Sequence, residues 1–90
     1  MVTLLLTHEV KNFPEWKEVY DAGEPLRQQA GVKVNGVYTS TDNPNYVTII
    51  AEAQNVEAVH GFMTHPDLKV SMEKAGVIGM PEFKILIKNN

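Results

Sequence analysis

Cysteine is absent from the 90-residue chain, which excludes disulfide staples, thiolate nucleophiles, iron–sulfur clusters and cysteine-type zinc sites. Long apolar runs are missing too. The one at the start, Val2 to Leu6, lacks a basic flank, is too short for a secretion signal and falls far below the ~20 residues of a membrane span, so a cytoplasmic location is expected. Concentrated positive charge is also absent. The eight Lys and Arg residues are scattered between Lys11 and Lys88 in a chain of formal charge −3, which argues against nucleic acid and acidic membrane surfaces as partners. Gly31, Gly36, Gly61, Gly76 and Gly79 stand apart, so there is no phosphate-cradling glycine loop. No Ser-His-Asp order stands out.

What remains is an ordinary globular composition, 43% hydrophobic and 21% charged, which predicts one folded domain spanning residues 1–90. A domain of this size buries only about 60–65% of the surface of its unfolded chain. A partner subunit would widen that thin margin.

Val2 to Thr7 reads as a buried first strand. Asn12 caps a helix beginning at Phe13, with Pro14 in its first turn and Glu15 three residues after the cap. Phe13, Trp16, Val19 or Tyr20, Gly23, Leu26 and Ala30 form its apolar stripe, while Pro25 demands a kink or short break near Gly23 to Pro25. Gly31 is the expected left-handed stop. Val32 to Thr39 and Tyr46 to Ala53 should pair as a hairpin across Ser40 to Asn45. Asn55 caps a second helix, bent or split at Thr64-His65-Pro66-Asp67 and ending at Gly76, and Phe83 to Lys88 is the last strand. This βαββαβ order predicts a ferredoxin-like α+β fold, a four-stranded antiparallel sheet with its helices on one face.

Such a sheet has a bare side. If Leu4, Leu6, Val47, Ile49 and Ile85 face the helices, strict alternation sends Thr3, Leu5, Thr7, Val37, Thr48, Ile50, Glu52 and Leu86 to the other face. That mixture is too apolar for a monomer's surface and predicts a homodimer closed sheet against sheet.

Seven residues are candidates for a small-molecule site. His8, after the first strand, and His65, at the second helix break, could carry protons near neutral pH; the plain alternatives are a loop histidine and a helix cap. Trp16, Tyr20 and Tyr38 could line an aromatic pocket, or simply fill the core. Glu52 would be a partly buried acid if it sits at the sheet interface, unless an ion pair or an edge position in water accounts for it. Arg27 could hold a carboxylate-bearing ligand, or be a solvated helix charge. His60 and His65 are five residues apart, about 140° around a helix, where paired helical metal ligands use a step of four. No metal site is therefore expected.

Val10 to Lys17, the turn Asp42-Asn43-Pro44-Asn45, and the stretch from His65-Pro66-Asp67-Leu68 through Met72 to Val77 with Pro81 resemble the dimeric α+β barrel superfamily. Within it the chain is similar to small proteins called antibiotic-biosynthesis-monooxygenase-like or cyclase-like. The resemblance implies two sheets closing into a barrel, with a small-molecule cavity in each subunit between sheet and helices. It also implies an enzyme of the cofactor-independent oxygenase or cyclase type acting on an apolar or aromatic metabolite, with His8 or His65 moving protons. The alternative is a non-catalytic module that binds a metabolite or joins an assembly. Pro25 departs from the uninterrupted first helix of that group.

Overall fold

The structure is a computed structural model describing residues 1–90. Strand β1 (Val2–Val10) is followed by helices α1 (Phe13–Ala22) and α2 (Glu24–Ala30), then strands β2 (Lys33–Thr39) and β3 (Tyr46–Ala53). Helices α3 (Val56–Met63) and α4 (Pro66–Lys74) lead into strand β4 (Val77–Leu86). The sheet order is β2-β3-β1-β4, each neighbouring pair antiparallel. β1 and β2 are therefore parallel with β3 inserted between them, the interleaving that defines the ferredoxin-like fold. No helix is long and apolar enough to cross a membrane.

Local chemistry explains the breaks. Asn12 Oδ1 accepts from Glu15 N at 3.0 Å to start α1, and Asn45 Oδ1 accepts from Phe13 N at 2.9 Å, tying the β2–β3 turn to the same helix end. Gly23 closes α1, and Pro25 in the first turn of α2 starts a second helix rather than extending the first. His65 plays the same part before Pro66: its Nδ1 accepts from Asp67 N at 3.1 Å and caps α4. Both helical connections are thus two-part.

Three boundaries and one face differ from the sequence expectation. β1 continues past Thr7 to Val10, so His8 is a strand residue and not a loop residue. β4 runs from Val77 to Leu86, not from Phe83 to Lys88. Gly79, with φ 71°, and Pro81 lie within it as if they were turn residues; an edge strand tolerates both, since it pairs on one side only. Finally, the β2–β3 register shifts between Val34 and Gly36. That bulge puts Val37 opposite Ile49, packed with the core, and turns Tyr38 to the open face opposite Thr48. One irregular residue moves each later side chain to the other side.

Val47 and Val59 are fully buried and Leu4 and Val10 nearly so, at the centre of the layer between sheet and helices. Two glycines provide a contrast in backbone chemistry. Gly31 sits at φ 72°, a left-handed conformation that other residues adopt only under strain, whereas Gly61 lies inside α3 with open space where a Cβ would go. Gly31→Ala is expected to cost ~1–2 kcal/mol in urea unfolding. Gly61→Ala should stabilise by ~0.5–1 kcal/mol.

Candidate functional site

A cavity of about 60 Å³ lies between the sheet and the helices. Leu4, Leu6 and His8 of β1 and Ile49 and Ala51 of β3 form its floor, and Trp16, Tyr20, Arg27, Phe62 and Met72 close over it from the four helices. Period-two alternation in β1 explains the floor: Leu4, Leu6 and His8 point the same way as Val10, and all four are buried. At ~10–15 Å³ per water, the cavity has room for a few waters or a small ring.

Its polar groups are few and converge. His8 is 4% exposed, and neither ring nitrogen has a hydrogen-bond partner within the chain. The Tyr20 hydroxyl is likewise buried and unpartnered. An unsatisfied buried donor or acceptor costs ~1–3 kcal/mol, so these three atoms call for partners from outside the chain, water or a ligand, which the cavity has room for. Along one wall the rings form a ladder. His8 meets Trp16 at 5.5 Å between centroids, Trp16 stacks on Tyr20 at 4.7 Å, and the Arg27 guanidinium carbon lies 3.9 Å from the Tyr20 centroid. Positions 13, 16 and 20 bring Phe13, Trp16 and Tyr20 onto one helix face, and the break at Gly23 redirects the chain so that Arg27 covers the end of the row.

Arg27 is only 8% exposed. Its Nε and Nη2 both donate to one oxygen of Glu24, at 3.3 and 3.0 Å, while Nη1 makes no hydrogen bond. A Cβ at Gly23 would lie 3.2 Å from that nitrogen, so the glycine leaves it room.

Burial pushes the His8 imidazole below its ordinary pKa of 6.5, because the apolar surroundings disfavour the charged ring. His8 is therefore neutral at pH 7, one nitrogen free to accept a proton. Burial pushes the Tyr20 hydroxyl up, opposed by Arg27 and reinforced by Glu24 and Asp21, so it stays a proton donor. The His8 shift has a consequence for stability. As pH falls below 6.5 the unfolded chain takes up a proton that the folded chain refuses, so folding loses up to ~1.4 kcal/mol per pH unit until the lowered native pKa is reached. Nothing is lost above 6.5. The stability difference between His8→Phe and wild type should therefore grow from pH 6.5 toward pH 5 in parallel urea titrations, with the carboxylates cancelling between the two.

The other candidates lie elsewhere. Tyr38 is 54% exposed on the open sheet face, its ring folded over Gly36. Glu52 shares that face and accepts from Asn35 Nδ2 at 2.7 Å. Neither lines the cavity. His65 borders a second hollow of about 530 Å³ between α4 and β4, together with Met63, Met80 and Pro81, and its ring is engaged in capping. His60 sits edge-on to Phe83. No three His, Asp or Glu residues cluster as metal ligands would. Ser71 of α4 lines the cavity without having been singled out from the sequence; a serine on a polar, weakly patterned helix carries no signal by itself.

No protein-family model matches the chain, and no curated protein does. Solved structures do. SnoaB, a cofactor-independent oxygenase from Streptomyces nogalater, aligns over 99% of this chain and 93% of its own at 15% identity and TM-score 0.78. An antibiotic biosynthesis monooxygenase aligns over the whole of both chains at 12% identity and TM-score 0.77. An uncharacterised NIPSNAP domain protein from Burkholderia xenovorans aligns over 99% of this chain and 95% of its own at 15% identity and TM-score 0.73. At these identities the likeness is one of fold: the chain has the ferredoxin-like α+β fold of the antibiotic biosynthesis monooxygenase-like structures.

Proposed function

We propose that this chain is a small-molecule oxygenase in which His8 is the base, the substrate supplies the electrons and no metal or flavin takes part. The observation that carries the proposal is the neutral, unpartnered His8 imidazole beside an unpartnered Tyr20 hydroxyl in an apolar cavity. The shared fold with a cofactor-independent oxygenase supports it.

The chemistry suits a substrate with an acidic methylene next to a carbonyl or an electron-poor ring. His8 removes one proton, leaving a carbanion whose electrons reduce O2. The oxygen–carbon bond then forms, and the imidazolium returns its proton to give a hydroperoxide. Loss of the second methylene proton and cleavage of the O–O bond yield a carbonyl and water, so that CH2 and O2 become C=O and H2O. The protein deprotonates, orients and excludes bulk water. Tyr20 is placed to donate to the developing oxyanion.

Oxygen consumption with cyclic 1,3-diketones, in buffer treated with a chelator, tests the proposal. Uptake by the wild-type chain with carbonyl product is the expected result. Binding of such compounds without oxygen uptake would replace the oxygenase with a non-catalytic binding module.

We also propose that the chain works as a homodimer through the open sheet face. Leu5, Ile50 and Leu86 lie there with Tyr38, flanked by Thr3, Thr7, Thr48, Glu52 and Lys84. This is an apolar centre with a polar margin, the layout of an interface and not of a solvated surface.

A further inference from the structure

The hollow between α4 and β4 gathers a different chemistry from the His8 cavity. Of the chain's four methionines, three line this one space of about 530 Å³: Met63 at the end of α3, Met72 on α4 and Met80 on β4. Two are anchored and one is free. Met63 and Met72 are half-buried and pack against the hydrophobic core, which holds their stems, whereas Met80 is 90% exposed on an edge strand and packing does not account for it. Its neighbours are Gly79, at φ 71°, and Pro81, and all three border the hollow. The other polar groups there are poor competitors for a soft ion. His65 Nδ1 accepts from Asp67 N at 3.1 Å, so the neutral ring carries its proton on Nε2 and neither nitrogen offers a lone pair. Lys69 is a cation without one, and Glu73, four residues further along α4, supplies only hard oxygen.

We infer that Met63, Met72 and Met80 form a three-thioether site for one soft monovalent cation, Cu(I). Thioether sulfur is polarisable and sits on a chain with three rotatable bonds, so three methionines around one hollow can converge on an ion. Soft sulfur ligands select Cu(I), while zinc, calcium and magnesium need thiolate, imidazole or carboxylate donors, and no three His, Asp or Glu residues cluster in the chain. The histidine spacing that argues against a metal at His60 and His65 does not bear on a site without histidine. A thioether has no proton to lose, so binding here is independent of pH where a histidine or thiolate site is not. The site is separate from the proposed oxygenase chemistry, although Leu68 and Met72 form a wall common to both spaces.

Silver(I), a soft monovalent ion that is not oxidised by air, is the probe, added as its nitrate to the full chain in chloride-free buffer and followed by native mass spectrometry and calorimetry. One ion per chain is the expected result, with the same affinity at pH 7.5 and pH 5.5, and Cu(I) should replace it in competition with bicinchoninate. Zinc should not. Met80→Leu changes an exposed side chain, so the fold stays intact, and affinity should fall at least about tenfold, the smallest loss usual for a group that merely orients a metal ligand. Met63→Leu, a swap that conserves volume, should do the same. Absence of a bound ion, unchanged affinity in Met80→Leu, or displacement of silver by zinc would each overturn the inference. So would a loss of about tenfold between pH 6.5 and pH 5.5, which is the mark of a histidine ligand. Oxygen uptake in chelator-treated buffer is a separate readout, and neither result decides the other.

Discussion

His8→Phe should cut oxygen uptake by ~10²–10⁴-fold, the usual contribution of a positioned general base, and at the same time make the chain more stable. The two effects have one cause. The imidazole occupies an apolar site where neither nitrogen has a partner within the chain, which costs folding energy that a phenyl ring does not, and the neighbouring cavity accommodates the larger ring without forcing the core apart. The gain expected in urea unfolding at neutral pH is ~1–3 kcal/mol. The acid limb of wild-type kcat/KM should fall below pH 6.5, since the base must be neutral and burial lowers its pKa. Lost activity combined with lost stability would mean that the ring is a packing element. Unchanged activity would remove His8 as the base.

Local rules are expected to fail at functional sites, and that is the role proposed for His8. From the sequence, His8 was expected at the mouth of the first strand, because Thr7-His8-Glu9 interrupts the apolar run. The period-two pattern nevertheless continues through His8 to Val10, and only pairing with Val47 on β3 makes that plain. The elements themselves were legible, because their signals are local: Asn caps, Pro in first turns, Gly31 at a helix end. Where a signal was tertiary, it was hidden. β4 begins at Val77 because β1 offers it an edge to pair with, although Gly79 and Pro81 read locally as a turn.

Part of the site was equally readable. Trp16 and Tyr20 at helical spacing had to share a face, and the choice between core and pocket wall has the answer that they serve as both: Trp16 is 3% exposed and lines the cavity. Tyr38 was paired with them only by assuming unbroken alternation along β2. The irregularity at Asn35 cannot be seen in a strand whose pattern is weak, and it exchanges the sides of Val37 and Tyr38. Arg27 looked like one helix charge among several. Its burial depends on the break at Gly23, which lets a residue seven positions after Tyr20 lie across that ring.

The same exchange sharpens the proposed interface. With Val37 removed to the core, the apolar centre of the open face rests on Leu5, Ile50 and Leu86, and Ile50 is paired with Leu5 across β1 and β3. Ile50→Asp should therefore yield a folded monomer in size-exclusion chromatography with light scattering, at concentrations where the wild-type chain runs as a dimer. An uncompensated buried charge costs ~3–5 kcal/mol, and a two-fold interface receives it twice, enough to dissociate a dimer of ordinary affinity. Ile49→Asp provides the contrast. Its side chain is 5% exposed toward the helices, so the same charge one residue away should unfold the chain outright, with loss of its far-UV circular dichroism. If the open face were solvated in the working protein, Ile50→Asp would leave the molecular mass of the wild type unchanged. A dimer that persists in that variant would place the interface elsewhere, and the apolar edge of β4 around Ile78 and Met80 would be the next surface to change.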